Sequence, residues 1–159
     1  MARGFRRTRK GLSATFAAAE AELLRGVATN LLDVLQTLPA EDPAVGRLLP
    51  DGYRDDPKAA AELRSLIQDD LVAGKRRAAM TVLGSLPQAG GRILLDDDRA
   101  EQWLAMLNDA RLALGTRLAV TQDDDDARWS TADDATQVAY ELYRWLGWLQ
   151  EGLVEALAP

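Results

Sequence analysis

Arg3, Arg6, Arg7, Arg9 and Lys10 put five cations into the first ten residues with no acid among them, and Phe5 stands between them. Cations at that density neutralise phosphates, and an interleaved ring can stack on a base, so the segment carries the chemistry of nucleic-acid contact. The same charges also suit an acidic protein partner, the chain's own acids, or a solvated tail. Arg111 is the second feature. It follows Leu104 by seven residues and Leu107 by four, and precedes Leu114 by three, so it sits within an apolar stripe where a leucine would be expected. A guanidinium near a core needs a partner, because an unpaired buried charge is costly. Glu151 or Glu141 on the last helix, joined by Asn108, would complete a structural polar network around it. The alternatives are an arginine head that reaches solvent, or a ligand or partner contact.

Other chemistry finds little support. The chain contains no His and no Cys, which excludes thiol nucleophiles, disulfides, zinc sites of the usual kind and imidazole bases. Serine occurs only at Ser13, Ser65, Ser85 and Ser130, none of them in a G-x-S-x-G elbow. Gly90-Gly91 lacks the Lys-Ser/Thr of a phosphate loop. The run Asp123 to Asp126 offers hard oxygens but lacks the spacing of a calcium loop, and reads as a solvated acidic loop. Carboxylate pairs carry no information among 25 acids. No enzymatic activity, metal or cofactor is expected.

The elements that must position these residues follow from periodicity. Residues 11–16 alternate Leu12, Ala14 and Phe16, as a short strand does. From about 17 to 38, Leu24, Val27, Leu31, Val34 and Leu38 follow helical spacing until Pro39. Four prolines and Asp51-Gly52 make residues 39–57 a structured connection that Leu48, Leu49 and Tyr53 would pin to the core. A second helix runs from Pro57 to about Leu86. Its stripes, Leu63, Leu66, Ile67 and Leu71, then Ala79, Val82, Leu83 and Leu86, are separated by Asp69, Asp70, Gly74, Lys75, Arg76 and Arg77. That interruption reads as a bend, a solvated overhang or a partner-binding edge. Residues 92–95 form a second strand, paired with 11–16. A third helix spans about 98–119 with Asp98 as N-cap and Glu101 completing a capping box, and a fourth spans about 132–157, capped by Thr131 or Asp133. The fold expected is mainly α: a four-helix bundle-like domain over residues 11–159 with a minor two-stranded ribbon, preceded by a basic arm over residues 1–10.

The charge is uneven along this frame. The net charge is −6, and the cations of the first ten residues leave 14 cations against 25 acids in the remainder. No window approaches the run of about 18 apolar residues that spans a membrane, and the stretch after the basic start is too short for a signal peptide. A cytoplasmic protein is expected.

Four stretches, MARGFRR at 1–7, LLPDGYRDD at 48–56, LNDARLALGTRL at 107–118 and WLGWLQE at 145–151, resemble in order and spacing the actinobacterial domain-of-unknown-function family that includes AosR-like oxidative-stress transcriptional regulators. The resemblance covers nearly the whole chain. It implies a small cytoplasmic protein that acts through other proteins, a sigma factor or RNA polymerase among them, without enzymatic activity. It also implies thiol sensing in some members, for which this chain has no cysteine. Together, residues and resemblance lead to a protein-interaction module that self-associates as a homodimer, with nucleic-acid binding through Arg3, Arg6, Arg7, Arg9 and Lys10 as the alternative.

Overall fold

The computed structural model describes residues 3–39, 41–49, 57–121 and 126–159. The basic segment expected as an arm is a strand, β1 (Arg3–Thr8), which turns directly into β2 (Gly11–Phe16). Then follow α1 (Ala18–Thr37), α2 (Pro43–Leu48), α3 (Pro57–Ser85), β3 (Gly91–Leu95), α4 (Asp97–Arg117), α5 (Asp126–Ser130) and α6 (Asp134–Leu157). The fold is mainly helical, as expected, but the ribbon has three strands and the described residues form six helices rather than four. The long helices α1, α3, α4 and α6 are the four the periodicity predicts. The short α2 and α5 lie within connections, where five or six residues leave too little periodicity to read.

The sheet has the order β1-β2-β3, antiparallel throughout. The expected pairing of residues 11–16 with 92–95 is present, from Leu12 opposite Leu95 to Phe16 opposite Gly91. On the other side Thr8 pairs with Gly11 and Arg6 with Ser13, with an irregularity between Arg3 and Arg6. Alternation sends Leu12, Ala14 and Phe16 into the core, all at most 2% exposed. On the opposite face Ser13 is also buried, its hydroxyl accepting a 2.8 Å hydrogen bond from Arg92 Nε. Gly90 joins α3 to β3 at φ +82°, where a Cβ would stand 2.5 Å from the Ala18 nitrogen, so only glycine fits the turn.

Acids set the helix starts. Asp96 accepts from the Arg99 N–H at 2.8 Å and caps α4 two residues earlier than the expected Asp98. Asp133 does the same for α6 through the Thr136 N–H at 2.7 Å, and Asp42 for α2 through the Ala44 N–H at 3.0 Å. Leu38 in the left-handed region (φ 43°) and Pro39 end α1.

α4 is the central element, packed against α1, α2, α3 and α6. Its Trp103, Met106 and Leu107 are wholly buried. Trp103 stacks on Phe16 with centroids 5.9 Å apart and meets Phe5 edge-on at 5.6 Å, so one aromatic cluster joins sheet and helices. Among the described side chains of α3, Ala78, Ala79 and Val82 are buried, whereas Ile67 and Leu71 of the predicted first stripe are exposed; the side chains of Leu63 and Leu66 lie outside those described. Leu48 is buried and Leu49 packs against the core, as expected of the connection. Tyr53 lies outside the described residues.

Candidate functional site

Pairing constrains the basic segment. Phe5, the ring expected to stack on a base, is 8% exposed and belongs to the core cluster with Phe16 and Trp103. Arg7, two residues on, is bound to the protein itself: Nε donates to the Ala156 carbonyl at 3.2 Å and Nη1 meets Asp97 at 3.3 Å. Arg3 is paired through its backbone with Thr15. Arg6, Arg9 and Lys10 remain exposed at the hairpin, without an ion-pair partner among the described residues. β1 itself is seated on α6, where Trp148 covers Gly4 and Gly152 lets the Phe5 backbone approach.

Arg111 stands partly buried between α4 and α6, as its place in the stripe requires. Neither expected partner, Glu151 or Glu141, pairs with it among the described residues. Glu151 is exposed on the far side of that helical turn, and the polar atom that faces Arg111 is the Gln150 amide oxygen, 3.4 Å from Nη1. Gln150 in turn donates to Asn108 Oδ1 at 3.3 Å, so Asn108, Arg111 and Gln150 form the network without a carboxylate. The guanidinium lies over the Tyr143 ring, 5.0 Å from its centroid. Two glycines make room: a Cβ at Gly147 would come within 3.1 Å of Arg111 Nε, and one at Gly115 within 3.0 Å of the Tyr143 ring.

A second charged pair was not anticipated from the sequence. Lys75 Nζ reaches Asp109 Oδ1 at 2.7 Å, with the Asp109 side chain 6% and the Lys75 side chain 20% exposed. The signal was present: Asp109 lies three residues from Met106 and four from Ala113, inside the stripe, and Lys75 lies three and four residues before Ala78 and Ala79. The break in the α3 stripe is thus where the helix reaches across to α4. Among the described residues no three metal-ligating side chains converge, and Asp123 to Asp125 lie outside them.

A groove of about 590 Å³ is bounded by α1, α4 and α6. Leu23, Gly26 and Val27 form one wall, Leu142 and Leu146 the other, and Ala110, Ala113 and Leu114 the floor. Its polar groups are few: Glu22 toward the start of α1, and Asn30 with Arg117 toward the other end, eight residues or about 12 Å further along the helix. Arg117 is fixed there by Asp42 Oδ2 at 2.9 Å and by Asn30 Oδ1 at 3.3 Å. The Arg117 guanidinium, and then the Ala44 N–H, hold the Asp42 carboxyl below the ordinary aspartate value. Leu23, at 45% exposed, and Val138, at 66% and one turn before Leu142, extend the apolar surface beyond the groove.

The comparisons with known proteins agree with the sequence resemblance. Residues 2–157 match the family model DUF2017, a domain of unknown function. The chain is 37% identical over 129 residues to the oxidative stress regulator AosR of Mycobacterium tuberculosis (strain ATCC 25618 / H37Rv), covering 73% of this chain and 58% of the relative. The AosR of Mycobacterium bovis (strain ATCC BAA-935 / AF2122/97) matches over the same extent, at 37% identity, 73% of this chain and 58% of the relative. A Mycobacterium leprae (strain TN) protein of the same AosR designation is 40% identical over 130 residues, covering 74% of this chain and 59% of the relative. This chain therefore spans less than two thirds of these relatives' length. No solved structure matches the chain. With nearly every residue inside the family model, the chain belongs to the DUF2017 family.

Proposed function

We propose that this protein is a non-enzymatic regulator of the oxidative-stress response that works by contact with a protein of the transcription machinery. The observation that carries this reading is the groove: an apolar floor of Ala110 and Ala113 between two helical walls has the form that receives an amphipathic helix. Small floor residues admit close approach, and half-exposed Leu23 offers an anchor at the rim. Glu22, paired with Arg25, and Arg117, paired with Asp42, give the two ends of the groove polar rims. The regulatory part of the reading rests on the names of the mycobacterial relatives. Thiol chemistry has no part in it, since the chain has no cysteine.

The test is crosslinking with mass spectrometry in native cells, comparing the natural chain with Leu23→Asp. Leu23 is exposed enough for that variant to fold, which circular dichroism verifies. Loss of a crosslinked transcription protein in the variant supports the proposal, and an unchanged crosslink pattern overturns it. A homodimer that Leu23→Asp dissociates would make the occupant a second copy of this chain and overturn the partner named here.

Nucleic-acid binding is the second reading, favoured by the exposure of Arg6, Arg9 and Lys10 at one hairpin. With Phe5 in the core and Arg7 engaged, at most four of the five cations are left for phosphates. The slope of log affinity against log salt then becomes about −3.6 instead of about −4.5. A flat salt dependence, or unchanged affinity in an Arg6→Glu, Lys10→Glu variant, eliminates it.

A further inference from the structure

On the face of α4 away from Lys75, a second pocket of about 220 Å³ opens between α2, α4 and α6. Unlike the groove, its lining is polar. Arg47 from α2 and Arg111 from α4 both contribute, with Asn108, Thr116 and Tyr143, and among the described residues no acid lines it. In a chain with 25 acids against 19 cations, two arginines share this pocket with no carboxylate beside them among the described residues.

Neither guanidinium is satisfied. Arg47 is exposed and has no ion-pair or hydrogen-bond partner among the described residues. Arg111 has only the 3.4 Å contact to Gln150 and the Tyr143 ring, and its Nε is shielded from solvent with no acceptor. Asn108 spends its oxygen on Gln150, which leaves its amide nitrogen as a donor, and the Thr116 hydroxyl donates to the Leu112 carbonyl at 2.7 Å. The Arg111 fork is also held in place, wedged against Gly147 and stacked on a ring that Gly115 accommodates. A fork fixed before the ligand arrives loses little freedom on binding.

We propose that this pocket is a binding site for a small oxyanion, a phosphate or a carboxylate held between the Arg47 and Arg111 guanidinium groups. The fixed fork favours planar, charge-assisted pairs of hydrogen bonds to two oxygens of the ligand. The volume lies below the range of about 300 to 1,000 Å³ typical of drug-sized ligands, so the site takes the free anion or one on a small body. The apolar Leu112, Gly115 and Val120 leave room for such a body. The site lies apart from the groove, and the proposal does not depend on the regulatory reading.

The test is titration of the full chain with inorganic phosphate at constant ionic strength, followed by amide chemical shifts, with chloride as control and acetate as a second probe. Saturable shifts at residue 47, residues 108–120 and residue 143, with a dissociation constant of about 1 mM or below, are expected. Arg47→Gln changes an exposed position and keeps the fold, and should weaken binding about tenfold or more. Arg6→Gln, at the remote hairpin, should leave it unchanged. Acetate shifting the same residues while phosphate does not would assign the site to carboxylates and sustain the proposal. Shifts no larger than with chloride for both probes, or equal affinity in Arg47→Gln, would overturn it.

Discussion

Two cations enter the helical layer on different sides of α4, and the structure answers them differently. Lys75 comes from α3 and meets Asp109 at 2.7 Å, so a partly exposed ammonium answers a buried carboxylate. Arg111, two residues further along α4 and so rotated by about 200°, meets an amide oxygen, an aromatic face and a polar pocket, with no acid. The first arrangement is closed: each charge depends on the other, and nothing from outside is needed. The second is left open to the pocket, and its cost is held down by partial exposure and by the Tyr143 ring.

Substitution at Asp109 gives the largest expected effect. Asp109→Asn removes the charge that answers Lys75 and should cost about 3 to 5 kcal/mol of stability, read from urea unfolding. Joint replacement by Asp109→Leu and Lys75→Met should recover most of that loss, because apolar residues of similar volume replace the pair without leaving a lone charge. If the double variant is as unstable as the single one, the pair is not a closed unit. Arg111→Met sharpens the contrast from the other side. It orphans no acid, so stability should change by about 1 kcal/mol or less, while phosphate-dependent shifts at the pocket disappear. A loss as large as that of Asp109→Asn would erase the distinction between the two sites.

The smallest effect belongs to the capping acids, of which Asp96 and Asp133 are exposed and Asp42 partly so. Hydrogen bonds hold three carboxyl groups below the ordinary aspartate value: Asp42 through the Arg117 side chain first, Asp96 through the Arg99 N–H, and Asp133 through Thr136. A folded pKa below the unfolded one adds stability that is complete above the unfolded value and lost as pH falls through the folded one. Unfolding midpoints should therefore hold steady at neutral pH and decline below about pH 4. Asp42→Asn keeps an acceptor for the Ala44 N–H but loses the charge beside Arg117, and should cost about 1 kcal/mol or less at pH 7 while flattening the acid decline.

Much of the fold was legible because its signals are local. The i+3/i+4 stripes of α1, α4 and α6 and the alternation in β2 need only neighbouring residues, and all four elements formed within a few residues of expectation. The basic segment was misread because charge hid its alternation. Only Phe5 of β1 is an apolar core residue, and a strand recognised by one inward ring is indistinguishable from a decorated tail until its partner strand is in place. The caps shifted from Asp98 to Asp96 because three successive aspartates satisfy the same rule, and only the backbone turn selects among them.

For the candidate sites the division is sharper. A leucine stripe interrupted by Arg111 was enough to place a charge near the core, because helical spacing fixes the direction of a side chain relative to its own axis. Which residue answers it depends on the rotation and height of the facing helix, where one position is about 100° of turn, and so Gln150 rather than Glu151 stands opposite. The apolar groove, the pairing of Lys75 with Asp109 and the meeting of Arg47 with Arg111 join residues from separate helices. Sequence determined which faces are apolar and where charge interrupts them. Only tertiary packing decided which charges meet, because the crossing of helices is set by the sum of all their contacts and by no single stretch of chain.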